Sequence, residues 1–432
     1  MDDPFELEEE APGTRFLLFP QSPFRTAEPV PELIEISAPP GSIGPGPSGP
    51  RMYAVNPRGK TIPFGAIVPG PNGPGMYLPP WHGQTHPPPE PDEDGHFTHI
   101  LPGDPAFEAA HLFAAAHFTL DVWEEYFGHP IPWHFARDYD RLELSLLPGL
   151  DNAHIGWGFL ETGGTSEHGG EYRAYSLNFD VVAHEIGHAI IYSIAGMPVS
   201  EDVPGEYYGF HESAADMVAI IASLHFGSVV EELLESTRGN LYTFNQLNRF
   251  AELAGNAQIR MAANTRTLQE FARGWSSEHD LSEPLTGAMF DILVDIFHER
   301  LLVHGLITPE MEDLSDQLEE TPYYGDVMQA LFDARYALDP EGFRLALLEA
   351  RDFLGAYLAA AWGMLEAGNL TYAAVETALL AVDRATTGGA FQTIIEGNFR
   401  MRGIGLVQAG PRLAEADEAS HAHSVRTRVP EG

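Results

Sequence analysis

Two histidines four residues apart, with a glutamate between them, are the residues of this sequence best suited to chemistry: His184-Glu185-Ile186-Gly187-His188. Positions four apart lie on one face of an α-helix, so both imidazoles can bind one metal ion. Glu185 follows His184 by about 100° around such a helix, which places its carboxylate beside the metal rather than on it. The pattern predicts a zinc site in which Glu185 is the general base for a metal-activated water.

The residues on both sides of this motif, 181–183 and 189–191, are almost all apolar, which predicts a buried helix. Burying two imidazoles and a carboxylate is costly unless each group is paired or ligated, and this cost favours a metal site. The alternative is a pair of core histidines that are satisfied by hydrogen bonds alone.

A catalytic zinc ion needs a third protein ligand and an open position for water. The next helical segment offers Glu212 and Asp216, which are again four residues apart and can face the first helix. Glu212 is the predicted zinc ligand. Asp216 is predicted to accept the outer N–H of a ligand histidine, with His184 as the first choice. The alternatives are a helix-start carboxylate for Glu212 and an ordinary polar position for Asp216.

Hydrophobic periodicity predicts the elements that must position these groups. A long helix is expected over residues 106–128, and β-strands separated by glycine-rich turns are expected between residues 140 and 180. Beyond residue 180 the pattern is mainly helical, and Ser282 followed by Pro284 predicts the start of one of these helices.

Composition excludes several classes of function. Acidic residues outnumber basic ones by 63 to 23, and a net charge of −40 disfavours nucleic acid and anionic membranes as partners. The chain has no cysteine, so a transition metal must be held by histidine and carboxylate. No signal peptide and no apolar stretch long enough to span a bilayer is found. The sequence therefore predicts a soluble protein and leaves its cellular location open.

The chain is predicted to have four segments. Residues 1–100 form a proline- and glycine-rich arm that is expected to be extended or irregular, with a short strand or two. Residues 101–198 form an α/β lobe that ends in the HExxH helix. Residues 199–410 form a helical lobe, and residues 411–432 a flexible tail.

The sequence resembles the thermolysin-like metallopeptidases over most of residues 105–405. The segment FDVVAHEIGHAII is similar to the active-site helix of that family. The segment GFHESAADM is similar to GAxNExxSD, which carries the glutamate ligand, and AAHFTLDVWEEYFG resembles the family helix AHYxxxxVYDYY. The resemblance implies an α+β fold with a mixed α/β N-terminal lobe, a helical C-terminal lobe and the active-site helix between them. It also implies a zinc endopeptidase that acts on peptide or protein substrates.

The same resemblance suggests roles for residues outside the metal site. EHDLSEPLTGAMFDIL is similar to VHxNSGIxNxAxYLI, which places His279 at the histidine that stabilises the oxyanion. Asn152 and Ala153 match the Asn-Ala of an edge strand that pairs with the substrate backbone. The segment IRMAA places Arg260 at a substrate-binding arginine. The alternatives are a plain surface histidine for His279 and a surface salt bridge for Arg260.

Three departures from the family pattern stand out. Asp180 matches a calcium ligand, but the glutamate expected to pair with it is Ser223 here, so Ca²⁺ binding is left open. The tyrosine that assists the oxyanion has no clear match, and Tyr207 and Tyr208 are the candidates. His154 takes the place of the aromatic residue that follows Asn-Ala.

Three functions are compatible with these residues. They are a thermolysin-like endopeptidase, another HExxH-plus-glutamate enzyme such as an aminopeptidase, and a catalytically silent protein that keeps zinc and acts as a binding module. The intact Glu185 favours an enzyme, because a purely structural zinc site has no use for a base beside an open position. No acidic motif that would bind a free amino terminus is found, which favours the endopeptidase.

Overall fold

The computed structural model describes residues 13–25, 28–70, 73–166, 172–198, 203–242, 249–250, 260–275, 277–318, 321 and 323–405. Ten α-helices and several small β-sheets lie within these residues, and the protein is of mixed α+β class as predicted. The predicted tail, residues 411–432, lies outside the described residues.

The helices are α1 (Phe107–Phe127), α2 (Phe179–Ile194), α3 (Glu206–Ser223), α4 (Gly227–Thr237), α5 (Glu278–Val303), α6 (Pro309–Leu318), α7 (Tyr324–Tyr336), α8 (Pro340–Trp362), α9 (Tyr372–Thr386) and α10 (Gln392–Met401). The strands are β1 (Thr14–Leu18), β2 (Glu32–Ile36), β3 (Met52–Val55), β4 (Ile67–Gly70), β5 (Gly73–Met76), β6 (Leu142–Leu146), β7 (Ala153–Gly156), β8 (Phe159–Thr162), β9 (Gly164–Thr165), β10 (Arg173–Ala174), β11 (Arg249–Phe250) and β12 (Arg260–Met261).

The chain divides into two compact units. The first comprises the residues up to Phe19, Pro29–Asp121 and Phe135–Leu177. The second comprises Pro20–Glu28, Val122–His134 and the residues from Asn178 onward. The four segments predicted from composition stay a prediction.

A four-stranded sheet with the order β3-β6-β8-β7 is the centre of the first unit. Strands β3, β6 and β8 are parallel, and β7 runs antiparallel to β8 at one edge of the sheet. Every residue of β6 and β8 is buried, as is usual for central parallel strands. The proline-rich arm supplies β3, whose buried residues alternate with half-buried ones, so part of this segment belongs to the core of the unit.

Lys60, the single lysine of the chain, joins the arm to this sheet. Its ammonium group is buried in an ion pair with Glu161 on β8, and it lies over the ring of Phe64. The Phe64 backbone N–H also donates to the Glu161 carboxylate at 2.9 Å. These contacts compensate for the burial of a charge that would otherwise be very unfavourable inside the unit.

Helix α1 begins in the first unit, where His111 is fully buried. Its Nε2 atom accepts a hydrogen bond from the Phe19 backbone N–H at 3.1 Å, and its Nδ1 atom donates to the Ser176 carbonyl at 2.8 Å. Burial lowers the pKa of His111 to about 4, and the two backbone hydrogen bonds oppose that shift. His111 is therefore neutral in the folded protein at pH 7.

The second unit is helical, with α3 packed against both α2 and α5, and with α5 packed against α8. The rings of Trp123 and Trp362 stack in its core with centroids 4.9 Å apart. No single helix in the described part of the chain is long and apolar enough to cross a membrane. Helices α3 and α4, which are bent by 93° relative to each other, pass that test only as a pair.

Two helix starts differ from the sequence prediction. Helix α5 begins at Glu278 rather than at Ser282, and Pro284 lies inside it. Helix α3 begins at Glu206, so Glu212 lies in its second turn and the helix-start alternative for this carboxylate is wrong. In both cases tertiary packing extends the helix beyond the residues that mark its start by local preference.

Replacement of His111 by glutamine tests its neutral state, because glutamine can both accept from Phe19 and donate to Ser176. The folded pKa lies below the unfolded value of about 6.5, so the stability from neutral His111 is complete above that pH and is lost as the pH falls towards 4. Denaturant unfolding at pH 7 and pH 5 measures how much unfolding free energy is lost on acidification. This loss should be smaller by about 2 kcal/mol in His111→Gln than in the wild type.

The exposed His129 gives the matched control, and His129→Gln should keep the pH dependence of the wild type. An unchanged loss of stability in His111→Gln would show that this histidine is not the buried neutral group that the contacts indicate.

Candidate metal centre

The HExxH motif lies in the middle of α2, a helix whose start is fixed by its own sequence. The Asn178 side chain caps the helix by accepting the backbone N–H of Asp180 at 3.2 Å. The apolar residues around the motif then bury the helix on nearly every side, as the sequence predicts. His184 and Glu185 are themselves buried, so these polar groups need partners inside the protein.

Helix α3 approaches α2 closely at Gly187, which lies between the two histidines of the motif. A Cβ atom on Gly187 would lie 2.8 Å from the Ala215 Cα and 3.1 Å from the Val218 Cβ. Any larger residue at this position would push the two helices apart. Ala215 in turn lies between Glu212 and Asp216, so the closest contact of the helices is flanked by polar groups from both.

The donor atoms of His184, His188 and Glu212 converge at this contact. The His184 Nε2 atom is 3.4 Å from Glu212 Oε2, and the His188 Nε2 atom is 3.6 Å from Glu212 Oε1. One ligand atom from each residue lies within 4.8 Å of the other two, and no second group of this kind occurs in the part of the chain that the structure describes. The sequence thus predicted three residues that the tertiary structure brings together.

This donor set fits a zinc ion. Tetrahedral zinc with bonds of about 2.0–2.2 Å to nitrogen and oxygen places neighbouring ligand atoms roughly 3.3–3.6 Å apart. The two histidine–glutamate distances have this magnitude, and each nitrogen faces a different oxygen of the Glu212 carboxylate. Two imidazoles and one carboxylate are also a common set of protein ligands for a catalytic zinc ion, which keeps its fourth position for water.

Asp216 holds His184 from the side away from the ligand atoms. Its Oδ1 atom lies 3.0 Å from His184 Nδ1, and both side chains are buried. A proton on Nδ1 that is donated to this carboxylate leaves the Nε2 lone pair facing Glu212. The carboxylate therefore selects the tautomer that can bind a metal and fixes the orientation of the ring.

His279 lies in the first turn of α5 and reaches the same carboxylate. Its Nδ1 atom is 2.8 Å from Glu212 Oε2, while its side chain is 51% exposed to solvent. This exposure and this contact place His279 at the accessible side of the ligand cluster. The structure therefore brings His279 to the metal centre, and its predicted role with the oxyanion stays a prediction.

The sequence did not reveal how three aromatic side chains take part in the centre: Tyr192, Tyr207 and His211. Tyr192 continues the four-residue spacing of His184 and His188, and its ring centroid lies 4.3 Å from that of His211. Burial raises the pKa of the Tyr192 hydroxyl, and the negative charges of Glu212 and Glu185 raise it further. The continued spacing along one helix face is the signal that could have revealed Tyr192.

His211 and Tyr207 form a chain of contacts behind the second histidine. The Nδ1 atoms of His188 and His211 are 3.4 Å apart, and His211 Nε2 lies 3.1 Å from the Tyr207 hydroxyl. The Tyr207 hydroxyl also donates to the Gly196 carbonyl at 3.4 Å. Tyr207 is only 2% exposed and its hydroxyl is engaged in this chain, so it is not placed to assist an oxyanion.

Burial also determines the charge of His211. It lowers the pKa of this histidine to about 3, with a further lowering from His134 and His184 and an opposing effect of Glu212. The other candidate for an oxyanion tyrosine, Tyr208, is half-buried, and its ring lies against Trp275 with centroids 6.0 Å apart.

The predicted substrate-binding residues belong to other elements of the chain. Ala153 begins β7, the edge strand of the sheet in the first unit, and the Asn152 carbonyl accepts the Gly163 N–H at 2.9 Å. Arg260 begins β12, and its side chain lies outside the described residues. The roles of these three residues stay predictions.

Comparison with known proteins gives little beyond this geometry. No protein-family model matches the chain, and no curated protein sequence matches it. Among solved structures it is similar to the precursor of protealysin, a metalloproteinase from Serratia proteamaculans. That similarity has a sequence identity of 11% and a TM-score of 0.39, and it covers 74% of this chain and 83% of that chain. The sequence identity and the TM-score are both low, so the functional conclusion depends on the side chains of the centre.

Replacement of Gly187 by alanine should disrupt the helix contact. The added methyl group collides with the α3 backbone, and we expect a loss of about 1–3 kcal/mol in unfolding free energy together with weaker zinc binding. Gly397 in α10 has open space at its Cβ position, so Gly397→Ala should instead be neutral or stabilise by up to about 1 kcal/mol. Thermal or denaturant unfolding compares the two variants, and equal effects would contradict the close contact.

Replacement of Asp216 by asparagine should weaken zinc binding without removing a ligand. Loss of the carboxylate partner of a ligand histidine typically lowers metal affinity by roughly 10- to 100-fold. Competition with a chromophoric chelator would measure the dissociation constant. The exposed Asp326 in α7 provides the control, and Asp326→Asn should bind zinc as the wild type does. Wild-type affinity in Asp216→Asn would rule out this role.

Proposed function

We propose that this protein is a zinc-dependent endopeptidase in which His184, His188 and Glu212 hold the ion and Glu185 is the general base. The supporting observation is the convergence of three ligand atoms within 4.8 Å, with a further buried carboxylate, Glu185, on the same helix as the two histidines. A structural zinc ion is enclosed by four protein ligands and has no use for a base. The presence of the buried Glu185 on the helix that carries both histidines therefore favours hydrolysis.

When bound, zinc supplies Lewis acidity, which polarises a carbonyl group and makes water a better nucleophile at neutral pH. Glu185 takes a proton from water as the water oxygen bonds to the peptide carbonyl carbon. It then passes the proton to the amide nitrogen as the C–N bond breaks. One water is consumed, and a carboxylic acid and an amine are formed.

His279 is assigned to the negative charge that develops on the carbonyl oxygen. An N–H donor aimed at that oxygen lowers the barrier, because the interaction strengthens in the transition state. The His279 Nδ1–H donates to the Glu212 carboxylate, so we assign Nε2 to this task. Nε2 can donate to the oxyanion only when both ring nitrogens carry a proton, so the assigned role requires the imidazolium form of His279. The half-exposed side chain of His279 is compatible with a residue that must meet substrate.

The substrate is assigned to the class of peptides and proteins. An edge strand can bind an extended peptide through backbone hydrogen bonds, and β7 with Asn152 and Ala153 offers such an edge in the first unit. We assign Arg260 to a polar contact with the substrate. The net charge of −40 opposes the binding of nucleic acid, which supports a peptide rather than a polynucleotide as substrate.

Replacement of Glu185 by glutamine is the central test of this function. The variant keeps the shape of the side chain but cannot accept a proton, so peptide hydrolysis should fall by about 10²- to 10⁴-fold. Zinc content, measured by metal analysis, should stay at one ion per chain. Cleavage of casein with and without a chelator measures the activity. Glu232→Gln, an exposed position in α4, is the matched control and should keep full activity.

The class of peptidase and the silent alternative can be separated in the same assay. Mass-spectrometric mapping of cut sites in a denatured proteome, together with N-acetylated peptides, should show internal cuts that do not require a free amino terminus. Cleavage restricted to free amino termini would assign an aminopeptidase. A zinc-loaded wild type that cuts no peptide would overturn the proposal in favour of a binding module.

A further inference from the structure

The two ligand histidines are held by chemically different partners. His184 faces the carboxylate of Asp216, whereas His188 faces the imidazole of His211, with their Nδ1 atoms 3.4 Å apart. A carboxylate can only accept a hydrogen bond from the ring, but a neutral imidazole can either accept or donate. The contact with His211 therefore does not by itself decide which nitrogen of His188 carries the proton.

The hydrogen bond that Tyr207 donates to the Gly196 carbonyl indicates which group donates at each step between His188, His211 and Tyr207. In one direction His188 Nδ1–H donates to His211 Nδ1, His211 Nε2–H donates to the Tyr207 oxygen, and the Tyr207 O–H donates to the Gly196 carbonyl. Every donor has an acceptor, and the His188 Nε2 atom keeps its lone pair for a metal.

In the opposite direction the Tyr207 O–H donates to His211, and His211 donates to His188. The proton of His188 then lies on Nε2, which faces Glu212 Oε1 at 3.6 Å. In this direction the Gly196 carbonyl loses the Tyr207 O–H as its donor. The first direction keeps that hydrogen bond, and it is the one that leaves the His188 Nε2 lone pair able to bind a metal.

We propose that His211 and Tyr207 are positioning residues that fix His188 in the tautomer with Nε2 free for the metal, through a hydrogen-bonded relay that ends at the Gly196 carbonyl. Tyr207 and His211 are one helix turn apart on α3, so a single element carries both members of the relay together with the ligand Glu212. All three side chains are buried, which excludes competition from bulk water. The inference rests on the proposed metal site but not on catalysis.

The test compares variants of His211 that differ in one property. His211→Asn keeps a short side chain that can accept from His188, whereas His211→Leu has a similar size and cannot accept. Zinc dissociation constants from chelator competition should rise roughly 10- to 100-fold in His211→Leu and only a few-fold in His211→Asn. The visible spectrum of the Co²⁺-loaded protein should change in His211→Leu and resemble the wild type in His211→Asn.

Tyr207→Phe removes a single hydroxyl group and serves where His211→Leu fails to fold. We expect a smaller but measurable loss of zinc affinity, because His211 then lacks its anchor. Tyr208→Phe, whose ring lies against Trp275, is the control and should bind zinc as the wild type does. Unfolding of the metal-free variants shows whether a general loss of stability explains the result.

The outcomes separate this inference from the proposed function. Equal affinity in wild type, His211→Leu and Tyr207→Phe would overturn the relay and leave the peptidase intact. Equal weakening in His211→Asn and His211→Leu would also overturn it, since ring shape rather than the acceptor would then matter. The expected affinities in a protein that cuts no peptide would support the relay and refute the peptidase. A wild type that binds no zinc would refute both.

Discussion

The close contact between α2 and α3 at Gly187 is the constraint on which the metal centre depends. Without a side chain at this position, the α3 backbone lies almost in contact with the glycine, and the Cβ of any other residue would meet Ala215 at 2.8 Å. Gly187 lies between the two histidines and Ala215 between the two carboxylates. The four-residue spacing on each helix then places the two imidazoles opposite Glu212, and it places Asp216 at the Nδ1 atom of His184.

Burial makes this arrangement energetically unfavourable unless its polar groups have partners. His184, Glu185, Glu212 and Asp216 all lie in helices whose buried residues are mostly apolar, where an unpaired polar group is strongly unfavourable. The protein meets part of this demand at the Nδ1 atoms, where His184 lies 3.0 Å from Asp216 and His188 lies 3.4 Å from His211. The Nε2 atoms of both rings face Glu212. The same contacts that make burial tolerable also orient the rings.

In the core of the first unit, buried ionisable groups are likewise held by particular hydrogen-bond and ion-pair partners. Lys60 and Glu161 are buried together, and the Phe64 backbone N–H donates a further hydrogen bond to the carboxylate. His111 is buried as a neutral ring that both donates and accepts. In both places a buried ionisable group is matched to particular partners.

The sequence by itself determined the two-histidine motif, the choice of Glu212 as the third member of the cluster and the helical nature of the segments that carry them, because these follow from spacing and hydrophobic period. It also predicted the α+β class. It did not determine that α3 begins at Glu206, and so it missed that Tyr207 and His211 share one helix face. The membership of β3 in the sheet and the contact of His279 with Glu212 were equally beyond it. Those features join residues that are far apart in the chain, and only the packing of helices and strands brings such residues together.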